Sequence, residues 1–309
     1  MAVFKFTYTS KAVNTNMEFY ALIPQKKHIR SQDSPELFLH SFEEMYPVTI
    51  LLHDMHSSPG ELIRRTRLEE YANRTGRMIL LPQGYLSYYT DYAVRDDAPT
   101  PLNPATGTSG NFSEMCYGTY VIPELLDYAQ AVLPVSASPK DVSIGGIGMG
   151  GFGAMKLGAM HPDRAGSVFS IDGHVDLQWL MDHSPSQKEQ FEAIFGSLRA
   201  EGPDDLAAVW SSSEAHLPLF QSWQENGANA QMNRNFADAI NHKVVNCDAV
   251  NHGSIRYNAD TCNPISHSDP NVQTQYCCFP DNARCGWDYI DNALALALRW
   301  TSGLNEKER

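Results

Sequence analysis

The spacing of hydrophobic residues changes period several times along the chain, and each change marks an element. Val3–Tyr8 and Met17–Ile23 alternate apolar with polar residues around Asn14-Thr15-Asn16, which predicts an antiparallel hairpin at a sheet edge. Val48–Leu52, Met78–Pro82, residues 142–147 and Ser167–Asp172 are instead apolar on both faces, as buried parallel strands are. Leu217–Trp223 and Lys243–Val250 are expected to be the last strands. Helical spacing predicts helices over residues 61–74, Tyr120–Val132 and Trp287–Trp300, with a mostly helical, cap-like segment at 175–215. A Pro-, Thr-, Gly- and Asn-rich stretch at 96–112 has the composition of an exposed, inserted loop. Strands alternating with helices call for an α/β fold, and we expect a single domain over residues 1–309.

One stretch organises the rest. Ser143-Ile144-Gly145-Gly146-Ile147-Gly148-Met149-Gly150-Gly151-Phe152-Gly153-Ala154 runs from a strand through a glycine cluster into a helix. Two designs use such a turn. One is the nucleophile elbow G-x-S-x-G, in which a strained turn lifts a serine above the sheet. The other is the dinucleotide fingerprint G-x-G-x-x-G, matched by Gly146, Gly148 and Gly151, with Asp172 as the ribose-binding acid. The dinucleotide fold opens with its fingerprint, whereas here other strands come first.

Charge and cysteine content narrow the function classes. A net charge of −13 argues against a basic face for nucleic acid or anionic membrane. No apolar run approaches the ~20 residues needed to span a bilayer. The N-terminal residues alternate like a strand and lack a signal peptide's apolar core. The cytoplasm is therefore the default expectation, with non-classical export left open. Of six cysteines, Cys116 and Cys247 stand apart, while Cys262, Cys277, Cys278 and Cys285 crowd one segment with His252 and His267. A zinc site would draw on Cys262, His267, Cys277 and Cys278, but the usual C-x₂₋₄-C spacing is missing. Thiols, disulfides and a metal all remain open there, and no cofactor is expected. Sequons at Asn73-Arg74-Thr75 and Asn111-Phe112-Ser113 carry no weight in a chain without an export signal.

A series of motifs in order carries a resemblance. They are Phe6–Ala12 with Leu22-Ile23-Pro24, Tyr46-Pro47-Val48 into Leu51-Leu52-His53, and Pro82-Gln83-Gly84 with Ser87–Asp91. Gly150–Leu157 with His161-Pro162-Asp163 is the most specific. Phe195-Gly196, Asp204-Asp205-Leu206, Leu217-Pro218, Trp287-Asp288-Tyr289 and Asp291 complete the series. Together they resemble the esterase D / tributyrin esterase family, relatives of S-formylglutathione hydrolases. The resemblance covers most of the chain and implies an α/β-hydrolase fold, with residues 251–285 as a second inserted loop.

It also implies a serine–aspartate–histidine triad, and here the chain departs from the family. The serine position falls on Gly148, the aspartate position on Gly227 and the histidine position on Cys285. The oxyanion region falls on His53, Asp54 and Met149, and Asp54 stands where the family has glycine. The expectation is a catalytically inactive member acting by binding or by self-assembly into a homo-oligomer through a remodelled active-site face. Two alternatives stand beside it. One is a binder of acyl ligands in the vestigial pocket. The other is a thiol-dependent ester hydrolase using Cys285, activated by His53, His56 or His174. Glu225 is a further candidate acid.

Overall fold

In a computed structural model the described residues are 1–25, 45–94, 101–108, 111, 114–212, 217–241, 255–256, 274–279 and 286–303. Among these residues nine strands form one sheet: β1 (Ala2–Ser10), β2 (Thr15–Ile23), β3 (Val48–Leu52), β4 (Met78–Pro82), β5 (Val142–Ile147), β6 (Ser167–Ile171), β7 (Leu219–Gln224), β8 (Ile255–Arg256) and β9 (Thr274–Phe279). Their order is β1-β2-β4-β3-β5-β6-β7-β9-β8. β1 and β2 pair antiparallel, as does β2 with β4, and every other pairing is parallel. With helices on both faces this is an α/β-hydrolase fold.

The central strands β3, β4, β5 and β6 are buried at every position, which is why their sequences do not alternate. One face of the sheet packs Phe152 of the elbow helix (Met149–Met160) with Phe191 and Phe195 of the cap. The other packs Leu51, Phe169 and Phe220 against Leu294 and Leu298 of the closing helix, Trp287–Thr301.

Three expectations about the elements change, and a fourth is not tested. The helix expected at 61–74 is two, Pro59–Arg65 and Leu68–Thr75, broken where Thr66 turns extended and its hydroxyl donates back to the Leu62 carbonyl. The helix expected over Tyr120–Val132 is regular only from Leu126, because Pro123 forces Ile122 out of helical geometry. The strand expected at Lys243–Val250 lies outside the described residues. β9 pairs beside β7, so the segment 251–285 is not all loop. The polar, cysteine-bearing sequence Thr274-Gln275-Tyr276-Cys277-Cys278-Phe279 hid that strand.

The cap joins the body through buried charge. Lys156, on the elbow helix, donates to Asp204 at 2.5 Å and to the Thr90 hydroxyl at 3.1 Å. Asp176 and Asp205 cap the cap's own helices through the amides of Trp179 and Ala208. These caps border a cavity of about 310 Å³ lined by Leu177, Leu206 and Phe236 among others.

Candidate active site

The elbow survives in the backbone. β5 ends at Ile147, and Gly148 adopts φ +53°, ψ −115° before the helix starts at Met149. A side chain is strained in that conformation, typically by 1–3 kcal/mol. Neighbouring backbone holds the turn: the Gly148 amide donates to the Ile171 carbonyl, and the Gly148 carbonyl accepts from the amides of Phe152 and His174. The preceding glycine is needed for close approach, since a Cβ on Gly146 would lie 2.0 Å from the Gly150 carbonyl oxygen. The glycines that match the dinucleotide fingerprint thus serve close packing: Gly146 against the elbow helix, Gly148 against Asp54 and Gly151 against Ser170 and Gly173.

The loop after β3 then fills the space beside this turn. Asp54 Oδ1 accepts from the Met149 amide at 2.8 Å and from its neighbour's amide, Met55, also at 2.8 Å. A carboxylate is favoured there because the Met149 amide opens a helix whose dipole is positive at that end. The carboxylate also enters the volume of an elbow side chain: a Cβ on Gly148 would sit 2.1 Å from Asp54 Oδ1 and 2.7 Å from Oδ2. Sequence reasoning placed Asp54 and Met149 in this region. It missed Met55, whose contribution is a main-chain N–H and leaves no residue-type signal.

His53, beside it, is committed to structure. Its Nε2 accepts from the Gly84 amide at 2.9 Å, which assigns the proton to Nδ1, 2.8 Å from the Asp54 carbonyl oxygen. The ring is buried, and burial lowers its pKa below the ordinary value. The Tyr89 hydroxyl donates to the His53 carbonyl, fixing the loop from a third side.

A second carboxylate stands nearby. Asp172 follows β6 with φ +49°, and its Oδ2 and carbonyl oxygen accept from Asn229 Nδ2. Asp172 Oδ1 is buried with no hydrogen-bond partner among the described residues. Burial, reinforced by the charge on Asp54 and opposed by Asn229, pushes the Asp172 pKa up to about 6. Gly227 lies in the turn after β7, where an added Cβ would sit 3.8 Å from Asp172 Oδ1. The structure thus brings Gly148, Asp54, Met149, Asp172 and Gly227 to one end of the sheet.

His174 joins them, buried, with Nδ1 3.3 Å from the Tyr88 hydroxyl, and its pKa is lowered by burial. His56 is exposed on the loop. Glu225 is held through its backbone, its amide donating to the Phe279 carbonyl and its carbonyl accepting from Arg234. Cys285, Cys262 and His267 lie outside the described residues, as do Cys247 and His252. Cys277 is buried in β9 against the closing helix, and Cys278 follows it in the same strand. No cluster of His, Cys, Asp and Glu among the described residues is arranged to hold a metal.

The comparisons with known proteins agree with the fold. The chain is similar to an acetyl esterase of Caldicellulosiruptor saccharolyticus, 24% identical over 99% of this chain and 100% of that protein. Its structure is similar to FphF, a fluorophosphonate-binding serine hydrolase of Staphylococcus aureus, with a TM-score of 0.69 and 20% identity over 97% of this chain and 98% of that one. It is also similar to an S-formylglutathione hydrolase from Agrobacterium tumefaciens, with a TM-score of 0.66 and 17% identity over 97% and 94% of the two chains. Fold and elbow define an esterase-like α/β-hydrolase. The family model described as putative esterase matches residues 10–254, and the chain belongs to that Esterase family. No helix among the described residues is long and apolar enough to cross a membrane.

Proposed function

We propose that this member of the Esterase family has lost serine-based hydrolysis of carboxylic esters and works by what its altered active-site face binds. One observation carries the reading: the Asp54 carboxylate takes the Met149 amide at the elbow and the Met55 amide of its own loop, and it fills the volume of the elbow side chain. Ester hydrolysis on this fold needs a nucleophile at the elbow and donors open to a developing oxyanion. Glycine at position 148 supplies no nucleophile. The amides of Met55 and Met149 are already bonded to an anion that the chain itself provides. Gly227 and Cys285 replace the other two triad positions under the same reading.

An acyl ligand would lose its usual polar anchor for the same reason, which sets acyl binding behind other ligands and partners, a second copy of the chain included. The test is hydrolysis of p-nitrophenyl acetate by the purified protein, with and without prior alkylation by iodoacetamide. We expect rates at the buffer background in both. Turnover well above background would overturn the proposal, and its loss both on alkylation and in Cys285→Ser would make Cys285 the nucleophile.

A further inference from the structure

We infer that Asp54 is itself a nucleophile, placed to capture alkylating electrophiles, such as epoxides, as an ester on its carboxylate. Its position, not its residue type, makes the argument. The carboxylate stands in the volume that the elbow reserves for a reacting side chain, with Oδ2 2.7 Å from where a Gly148 Cβ would lie. The two oxygens are differentiated. Oδ1 is fixed by the amides of Met55 and Met149, while Oδ2 takes no hydrogen bond among the described residues. A carboxylate held through one oxygen cannot swing away, and no donor among the described residues takes up the lone pairs of the other. Asp54 is also partly exposed, unlike the buried His53 and His174.

The polarity of the site fits a carbon electrophile. Asp172 adds a second carboxyl, so an incoming carboxylate or phosphate is repelled whereas a neutral epoxide is not. In the step, an Oδ2 lone pair forms a bond to the less substituted ring carbon and the ring C–O bond breaks. The ring oxygen leaves with that electron pair and takes a proton from water, giving a 2-hydroxyalkyl ester. Oδ1 becomes the ester carbonyl and keeps both amide bonds, so the backbone donors need not rearrange. Carboxylates act as covalent nucleophiles when an enzyme positions them in this way.

This inference rests on the reading that the elbow serves no serine chemistry, but its test is separate. The full-length protein is incubated with propylene oxide at neutral pH, digested and mapped by mass spectrometry. The adduct should fall on Asp54 on the order of tenfold or more above any other of the 36 Asp and Glu residues, as site-selective activation requires. Asp54→Asn, which keeps the shape and both amide bonds, should remove that adduct and leave the surface background. No adduct, or labelling spread evenly over surface carboxylates, would overturn the inference. A protein that hydrolyses p-nitrophenyl acetate but still carries the Asp54 adduct would sink the loss-of-hydrolysis reading and leave this one standing.

Discussion

Gly148 and Asp54 behave as one unit at the scale of the residue. Restoring a side chain at Gly148 meets both a left-handed backbone and a carboxylate 2.1 Å from the new Cβ. Gly148→Ser should therefore cost about 1–3 kcal/mol in urea denaturation. Combined with Asp54→Gly, the cost should be smaller than the sum of the two single changes, the sign of contact coupling. Asp172 makes a prediction of the opposite sense. Its folded pKa of about 6 lies above the ordinary 3.8, so the folded protein binds the proton more tightly than the unfolded chain. Stability from this group is fully present below about pH 4 and is lost as pH rises through 6. Asp172→Asn should raise the melting temperature at pH 7 and flatten the pH dependence between those limits, as thermal melts would read. The elbow turn at Gly148 was legible from the glycine cluster around it. The filling of the backbone donors was not, because a hydrogen bond between a loop carboxylate and a main-chain amide has no spacing rule.

At the scale of the element, the elbow helix and the cap are tied by Lys156 and Asp204, and removing either partner should have unequal effects. Lys156 is 6% exposed and Asp204 18%. Asp204→Ala strands an ammonium in the interior and should cost about 3–5 kcal/mol, whereas Lys156→Met leaves a carboxylate with better access to water and should cost less. Chemical denaturation of the two variants gives the order directly. The buried strands and the closing helix were readable because a run apolar on both faces, or an apolar stripe at helical spacing, has few structural meanings. β9 was not readable. It pairs with β7 through Gln275 and Cys277 as well as through aromatic residues, and neither residue type advertises a strand.

One guanidinium does for the whole molecule what the cap pair does locally. Arg77 is buried at the base of the sheet and donates to the carbonyls of Val48 and Asp141, to the hydroxyls of Thr49 and Ser143, and to the Thr301 carbonyl at the end of the closing helix. Burial lowers its pKa to about 10, which still leaves it charged at neutral pH. Arg77→Met would leave several acceptors without donors and should cost about 3 kcal/mol or more, lowering the denaturation midpoint without changing its steepness. The sequence marks Arg77 only as a charged residue before an apolar strand. Its partners come from β3, β5, the turn before β5 and the closing helix, and only the folded topology assembles them.

The interlock between the loop after β3 and the elbow also bears on history. A serine regained at Gly148 would have to share its space with the Asp54 carboxylate, so the two positions change together or at a cost. Surrendering the carboxylate alone takes away the acceptor that the amides of Met55 and Met149 share. The step that adds a side chain at Gly148 is the one with a steric cost while Asp54 remains. Under the proposed reading, the way back to a serine is then a coupled double change rather than a single one, and selection acts on what the carboxylate itself does.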